Sequence, residues 1–202
     1  MHVAGTLRER RREQLRREIA EQALGLADRS GWSEVTVSDI ATAAGISRRA
    51  FFTHFATKDD AVVHGATDDL EFLEHALATS APGTSFVEVL RSSAPAWVDE
   101  LGAMSRSRRI RQSVEREHPE VKAKIRSART QALTLLATRP IAADLDLDEG
   151  EPVVAVLSAA FSGMGAALDE VFASRGRDAL EDVQRSITLF AAMMSAATTD
   201  RG

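Results

Sequence analysis

The sequence predicts an all-α protein: a small N-terminal helix-turn-helix domain followed by a larger helical domain, about nine helices in all. Three observations carry this. Apolar residues recur at three- and four-residue spacing through almost every segment between breakers. The breakers are helix punctuation, namely Ser30-Gly31, Gly45, Pro82-Gly83, Arg139-Pro140 and Arg175-Gly176. At 202 residues the chain is long enough to bury a sizeable core, in one large or two small domains.

The first helix is read over residues 7–30. Leu15, Ile19, Ala23 and Leu26 form one apolar stripe. Its opening is dense in arginine, with Arg8, Arg10, Arg11, Arg12, Arg16 and Arg17. These either reach a phosphate backbone or make a solvated face paired with Glu9, Glu13, Glu18 and Glu21. Trp32 opens a short connector as a packing residue.

The stretch that organises the chain is Thr36 to Phe55. Thr36 and Ser38 are N-cap types. Val37, Ile40, Ala41 and Ala44 give a two-turn helix an apolar face, and Gly45 supplies the left-handed backbone of a sharp turn. Ile46 plugs the angle. Ser47 caps a second helix, Arg48 to His54, on which Phe51 and Phe55 face inward and Arg48, Arg49, Ala50, Thr53 and His54 face outward. This is the pattern of a helix-turn-helix, whose second helix enters the major groove by its N-terminal end. Arginine addresses guanine with two hydrogen bonds and alanine meets a thymine methyl, so Arg48, Arg49 and Ala50 are candidates for base edges. Thr36, Ser38, Ser47, Thr53, His54 and Lys58 are candidates for phosphates. Lys58 is unfavourable at a helix start unless a phosphate stands before it.

Charge agrees with this division. Residues 1–58 hold ten Lys/Arg against seven Asp/Glu, and residues 59–202 hold fifteen against twenty-three, for a net charge of −5. A basic end on an acidic body suits a DNA-facing domain attached to one that is not. The boundary is expected at residues 57 and 58: a DNA-binding domain over 1–57 and a ligand-binding and dimerisation domain over 58–202.

Thr57, Asp59 and Asp60 open the next helix, expected to run unbroken to about Thr79. His64, Asp68, Glu71 and His75 then lie along it, too spread for one metal ion, and are read as exposed or pocket-edge polar residues. Helices follow over 84–104, with Pro95 as a kink or boundary, over 104–118, and from Pro119 to about Thr138, closed by Arg139-Pro140. Residues 106–129 carry nine Lys/Arg against three Glu. They are solvated helix faces or a basic rim that holds the phosphate or carboxylate of a ligand. The Asp144–Glu151 run fails the calcium-loop pattern, with its glycine one place late and Ala155 at the twelfth position. Two long helices end the chain, about 151–174 and 178–197. Small residues such as Ala155, Ala159, Gly163 and Ala166 alternate with bulky apolar ones there, more than one partner helix covers. They are expected to pair with the same helices of a second copy. Phe72, Trp97, Leu101, Met104, Leu133, Phe161, Met164 and Phe172 are candidate ligand-pocket walls or plain core.

The run Thr36-Val37, Ile40-Ala41, Ala44 to Ser47, Phe51 to Phe55 and Lys58 resembles the tetracycline-repressor (TetR) family of bacterial transcription regulators over about residues 10–63. The resemblance implies three N-terminal DNA-binding helices and a helical remainder that binds a ligand and dimerises. The family has tyrosine where this chain has Phe52, so a hydroxyl that meets a phosphate is missing while Phe52 keeps its place in the DNA-facing set. The Phe51-Phe52 pair is similar to an actinobacterial subset with acyl-CoA-like ligands.

The expected function is therefore a ligand-responsive, homodimeric regulator, a repressor. It binds a palindromic double-stranded DNA operator and is released by a small apolar or amphipathic effector. The alternatives are a helical enzyme and a structural DNA binder without a ligand. There is no cysteine and no tyrosine, and no phosphate-binding glycine loop or paired-histidine metal motif, so neither an enzyme nor a cofactor is expected. No stretch approaches about 20 apolar residues and the N-terminus lacks a secretory h-region, so a cytoplasmic protein without a membrane partner is expected.

Overall fold

The computed structural model describes residues 6–102 and 106–199, and all regular structure in them is helical. The helices are α1 Leu7–Ser30, α2 Val37–Ala43, α3 Arg48–His54, α4 Lys58–Val63, α5 Glu71–Thr79, α6 Phe86–Gly102, α7 Arg106–Glu117, α8 Pro119–Leu145, α9 Pro152–Arg175 and α10 Leu180–Thr199. The chain divides into two compact units: residues 1–66 with 105–125, and residues 67–104 with 126–202.

The first unit begins at a capping box, in which Thr6 and Glu9 satisfy each other's backbone N–H groups. The same device opens α2 through Thr36 and Asp39, and α4 through Thr57 and Asp60. These cap pairs carry little apolar information, yet they fix where three helices start. The core joins Ile19 and Ala23 of α1, Ile40 and Ala41 of α2, and Phe51 of α3 to Phe55 and Val62. Ile110 and Val114 of α7 and Val121 and Ile125 of α8 complete it. The expected boundary at residue 57 thus leaves out α4, α7 and the first turns of α8, which supply apolar residues at four-residue spacing.

The helix expected over 57–79 is two. α4 ends at Val63, Gly65 turns the backbone at φ 75°, and a 3-10 turn over Asp68–Leu70 leads into α5. Only a left-handed residue makes that turn cheaply, and glycine is the one without a Cβ penalty. His64 consequently leaves the row shared with Asp68, Glu71 and His75, and its Nε2 lies 3.1 Å from Glu13 Oε1.

In the second unit, Phe86, Phe161 and Phe190 form an aromatic cluster with ring centroids 5.0, 6.2 and 5.6 Å apart. Leu90, Ala94 and Val98 of α6, Ile141 of α8, Val154 and Leu157 of α9 and Val183 and Ile187 of α10 surround it. α6 runs through Pro95, which is exposed, so the carbonyl it leaves without a donor belongs to solvent-exposed Arg91. α8 likewise runs through Pro140 to Leu145, past the expected stop. Ile141, Ala142 and Leu145 are buried beyond that proline, and their burial outweighs the one lost hydrogen bond. The helix closes instead at Asp146, φ 53°, where Leu147 N–H donates to Ala142 C=O and Asp146 N–H to Ala143 C=O. Asp144 then serves as an acceptor for Phe86 N–H at 2.7 Å. Burial, with Glu88 nearby, raises the Asp144 carboxyl above its ordinary value despite that bond.

Residues 152–172 of α9 are long and apolar enough to cross a membrane by length and composition, with a mean hydropathy of 1.5. This corrects the expectation that no such stretch exists. Val154, Leu157, Phe161, Leu168 and Phe172 commit one side of that helix to the core of the second unit.

Candidate functional site

The turn between α2 and α3 is closed by its backbone. Ile46 N–H donates to Ala41 C=O at 2.9 Å and Gly45 N–H to Thr42 C=O at 3.1 Å, with Gly45 at φ 67°. This pair of bonds defines a Schellman closure. Ser47 then caps α3, its Oγ accepting from Ala50 N–H at 3.1 Å. Phe51 is fully buried and Phe55 nearly so, their ring centroids 5.7 Å apart. That anchor leaves Arg48, Arg49, Phe52 and Thr53 exposed, with Ala50 half-buried. Phe52 is 48% exposed, and the Arg48 guanidinium lies 5.8 Å from its ring centre. The half-exposed Phe52 ring stands edge-on to Phe51, with centroids 5.6 Å apart, beside two unburied arginines on a seven-residue helix.

Two members of the DNA-facing set are placed differently from the expectation. His54 is half-buried rather than outward, and its Nδ1 is enclosed with no hydrogen-bond partner among the described residues. Burial, with Arg12 and Arg16 nearby, lowers its basicity. Lys58 donates from Nζ to Trp32 C=O at 2.9 Å and Val35 C=O at 2.8 Å, and lies 4.7 Å from the Trp32 ring centre. Two carbonyls and a π face thus answer the oddity of a lysine in a first turn. Thr36 and Ser38 are exposed, and the Thr36 hydroxyl is engaged in its capping box.

The arginines of α1 divide. Arg8, Arg10, Arg11 and Arg12 are exposed. Arg16 turns inward, donating to His54 C=O at 2.6 Å with its guanidinium 4.5 Å from the Phe55 ring centre. It braces the C-terminal end of α3, a role that composition did not reveal.

Part of the basic stretch 106–129 is spent on contacts within its own unit. Arg106 pairs with Asp28, Arg111 donates to the carbonyls of Val62 and His64, and Lys124 pairs with Asp60, all within the first unit. Burial works against Asp60, but bonds from Lys124 and Thr57 hold its carboxyl below the ordinary value.

The second unit holds a cavity of about 50 Å³. Phe72, Trp97, Leu133, Phe161 and Met164, all candidate walls, line it. Phe172 stands behind, its ring edge-on to Trp97 with centroids 5.1 Å apart. Met104 lies outside the described residues, as does the side chain of Leu101. Arg129, which the sequence reading placed in the basic rim, lines the cavity too. Gly165 fits because it lacks a side chain: a Cβ there would stand 2.5 Å from Leu133 Cδ1. The outer faces of α9 and α10 stay apolar, with Val156 63%, Leu189 65% and Met193 44% exposed.

Comparison with known proteins agrees with this geometry. The family described as "Bacterial regulatory proteins, tetR family" matches residues 19–62. The solved structure of a TetR-family transcriptional repressor of Thermus thermophilus, FadR, in complex with lauroyl-CoA, is similar in fold. Its TM-score is 0.61 at 22% identity, over 89% of this chain and 94% of that one. A TetR-like transcriptional regulator from Rhodococcus sp. RHA1 matches with a TM-score of 0.43 at 19% identity, over 91% and 93% of the two chains. No curated protein matches the sequence. Residues 19–62 thus match the helix-turn-helix segment of the tetR family of bacterial regulatory proteins, and the chain as a whole has an all-helical fold similar to that of the Thermus repressor.

Proposed function

We propose that the protein is a ligand-responsive repressor that binds a palindromic operator as a homodimer and leaves it when a small apolar or amphipathic effector occupies the second unit. The observation that carries the DNA part is α3 itself, a capped helix pinned by Phe51 with Arg48 and Arg49 exposed at its N-terminal end. Arg48, Arg49 and Ala50 read base edges. Thr36, Ser38, Ser47 and Thr53 hold phosphates, while His54 and Lys58 act from the inside, keeping the helix in place.

The unpartnered apolar faces of α9 and α10 support dimerisation, since two large side chains on α10 and one on α9 otherwise stand in water. A two-fold pair spaces its reading helices by about one DNA turn or a multiple, which is why the operator is palindromic. The apolar cavity supports an effector, and the lauroyl-CoA of the Thermus repressor makes an acyl chain the first candidate. At about 50 Å³ the cavity is well under the roughly 150 Å³ that accommodates benzene, so binding opens it. Opening is the event that couples the sites. A coupling of about 1–3 kcal/mol would change operator affinity about 5- to 150-fold. A DNA-binding regulator with this chemistry works in the cytoplasm.

Selection of bound sequences from a random duplex library tests the reading. The wild-type protein should enrich an inverted repeat, and Arg49→Ala should relax the preference at one base pair of each half-site. Enrichment of an unsymmetrical site, or an unchanged preference in the variant, would refute the assignment.

A further inference from the structure

The arginines that open α1 fit two readings by sequence, a phosphate contact or an ion-paired face, and the nearby carboxylates decide between them. Glu9 accepts from Thr6 N–H at 2.6 Å and from the Thr6 hydroxyl at 3.1 Å. Glu13 lies 3.8 Å from Arg16 Nε, 3.6 Å from Arg17 Nε and 3.1 Å from His64 Nε2. Glu18 accepts from Gln14 at 3.1 Å. Arg8, Arg10, Arg11 and Arg12 are exposed, and among the described residues none of them has a carboxylate partner. Unmatched guanidinium groups crowded into the first turns of a helix repel one another and oppose its dipole. An anion bound across them removes both penalties.

Two of the four share the side of α1 that leads to α3. Arg16 donates to the carbonyl of His54, the last residue of α3, at 2.6 Å. Arg12 and Arg8 stand four and eight residues earlier, about 6 and 12 Å along the axis of α1. Side chains four apart lie on one side of a helix, so the three arginines make a single strip whose inner end touches α3. The charge of Arg12 is close enough to His54 to help lower the basicity of that imidazole.

α3 spans seven residues, about 10 Å, against a major groove about 12 Å wide. A strip that continues from the end of α3 therefore meets the backbone bordering the groove. Ile19, Ala23 and Leu24 commit the apolar side of α1 to the core of the first unit, so the helix keeps no continuous apolar face to lay into a lipid surface.

Resting on the reading of α3 as the helix that enters DNA, we propose that Arg8 and Arg12 are a second contact with the duplex. They hold phosphates of the strand that borders the groove, beyond the bases that α3 reads. Such contacts add affinity and fix orientation, and they carry no sequence information.

Fluorescence anisotropy of two labelled duplexes of equal length, one recovered by selection and one of mixed sequence, measures affinity from about 50 to 200 mM salt. Arg8→Gln/Arg12→Gln should weaken both duplexes by the same factor. It should flatten the slope of log affinity against log salt by about 0.9 for each arginine in each protomer, and each single variant should give half of that change. Arg29→Gln removes the same charge from the last turn of α1. That turn is about 26 Å along the axis from Arg12, well beyond the screening length of about 8–10 Å, so this variant should keep the wild-type affinities and slope. An unchanged slope in the double variant, an equal loss in Arg29→Gln, or a changed ratio between the two duplexes would each overturn the proposal. So would binding to phosphatidylglycerol vesicles that needs Arg8 and Arg12 while the double variant keeps its affinity for DNA. Wild-type protein that binds neither duplex would instead remove the DNA reading on which the proposal rests.

Discussion

The sharpest consequence of the fold concerns a residue far in sequence from the DNA-reading stretch. Val121 opens α8 and is fully buried in the core of the first unit. Replacing it by alanine deletes two methyl groups, each worth about 0.8 kcal/mol of transfer free energy. A cavity remains, because neighbours such as Ile110 and Val114 are fixed on a separate helix, and the total loss is about 2–3 kcal/mol. For a chain of this size, that lowers the melting temperature by about 5–10 °C. Trp32 is buried in the same core and gives the readout. In a Trp97→Phe background, Val121→Ala should move the Trp32 fluorescence transition to lower temperature by that amount. Ala123→Ser, at an exposed position two residues on, should leave it within about 1 °C. A Trp32 transition that ignores Val121→Ala would show that residues 105–125 are not part of the DNA-binding unit.

Three further outcomes follow from named contacts. Gly45→Ala puts a Cβ into open space but forces an L residue to φ 67°, so chemical denaturation should show a loss of about 1–2 kcal/mol from backbone strain alone; a loss near zero would mean that the turn relaxes. Asp60 has its carboxyl held below the ordinary value, so its contribution is present above the ordinary carboxylate range and vanishes as pH falls through the folded value. Because both partners are over a third exposed on their side chains, the difference between wild type and Asp60→Asn should stay under about 1 kcal/mol at neutral pH. It should disappear in acid, and a gap that persists there would point to lost packing instead. Leu189→Glu places a carboxylate on the exposed face of α10 and should convert the proposed dimer to monomer in light scattering without lowering the melting temperature of the first unit.

The helix-turn-helix was legible because its signals are local. Ser47 caps within its own turn, Gly45 answers a backbone requirement, and Phe51 and Phe55 lie four apart on one face. The end of α8 was not legible, because Pro140 reads as a stop until the burial of Ile141 and Leu145 is known. The Gly65 break was legible in principle; a glycine inside an apolar helical run marks a turn as readily as it is tolerated in a helix. Five of the candidate cavity walls were legible as bulky apolar residues at helical spacing, but their convergence was not.

What the amino-acid order determined by itself was the helical class, the caps and turns that bound most elements, and the outward arginines of α3. These depend on residues within a few positions of one another, where spacing along the chain is spacing in space. Tertiary structure alone decided which charges are already spoken for: Arg16 on α3, Lys58 on the connector carbonyls, and Arg129 between two aspartates. A guanidinium or ammonium in a sequence looks the same whether it faces a phosphate, water or a carboxylate sixty residues away, and only the fold chooses its partner.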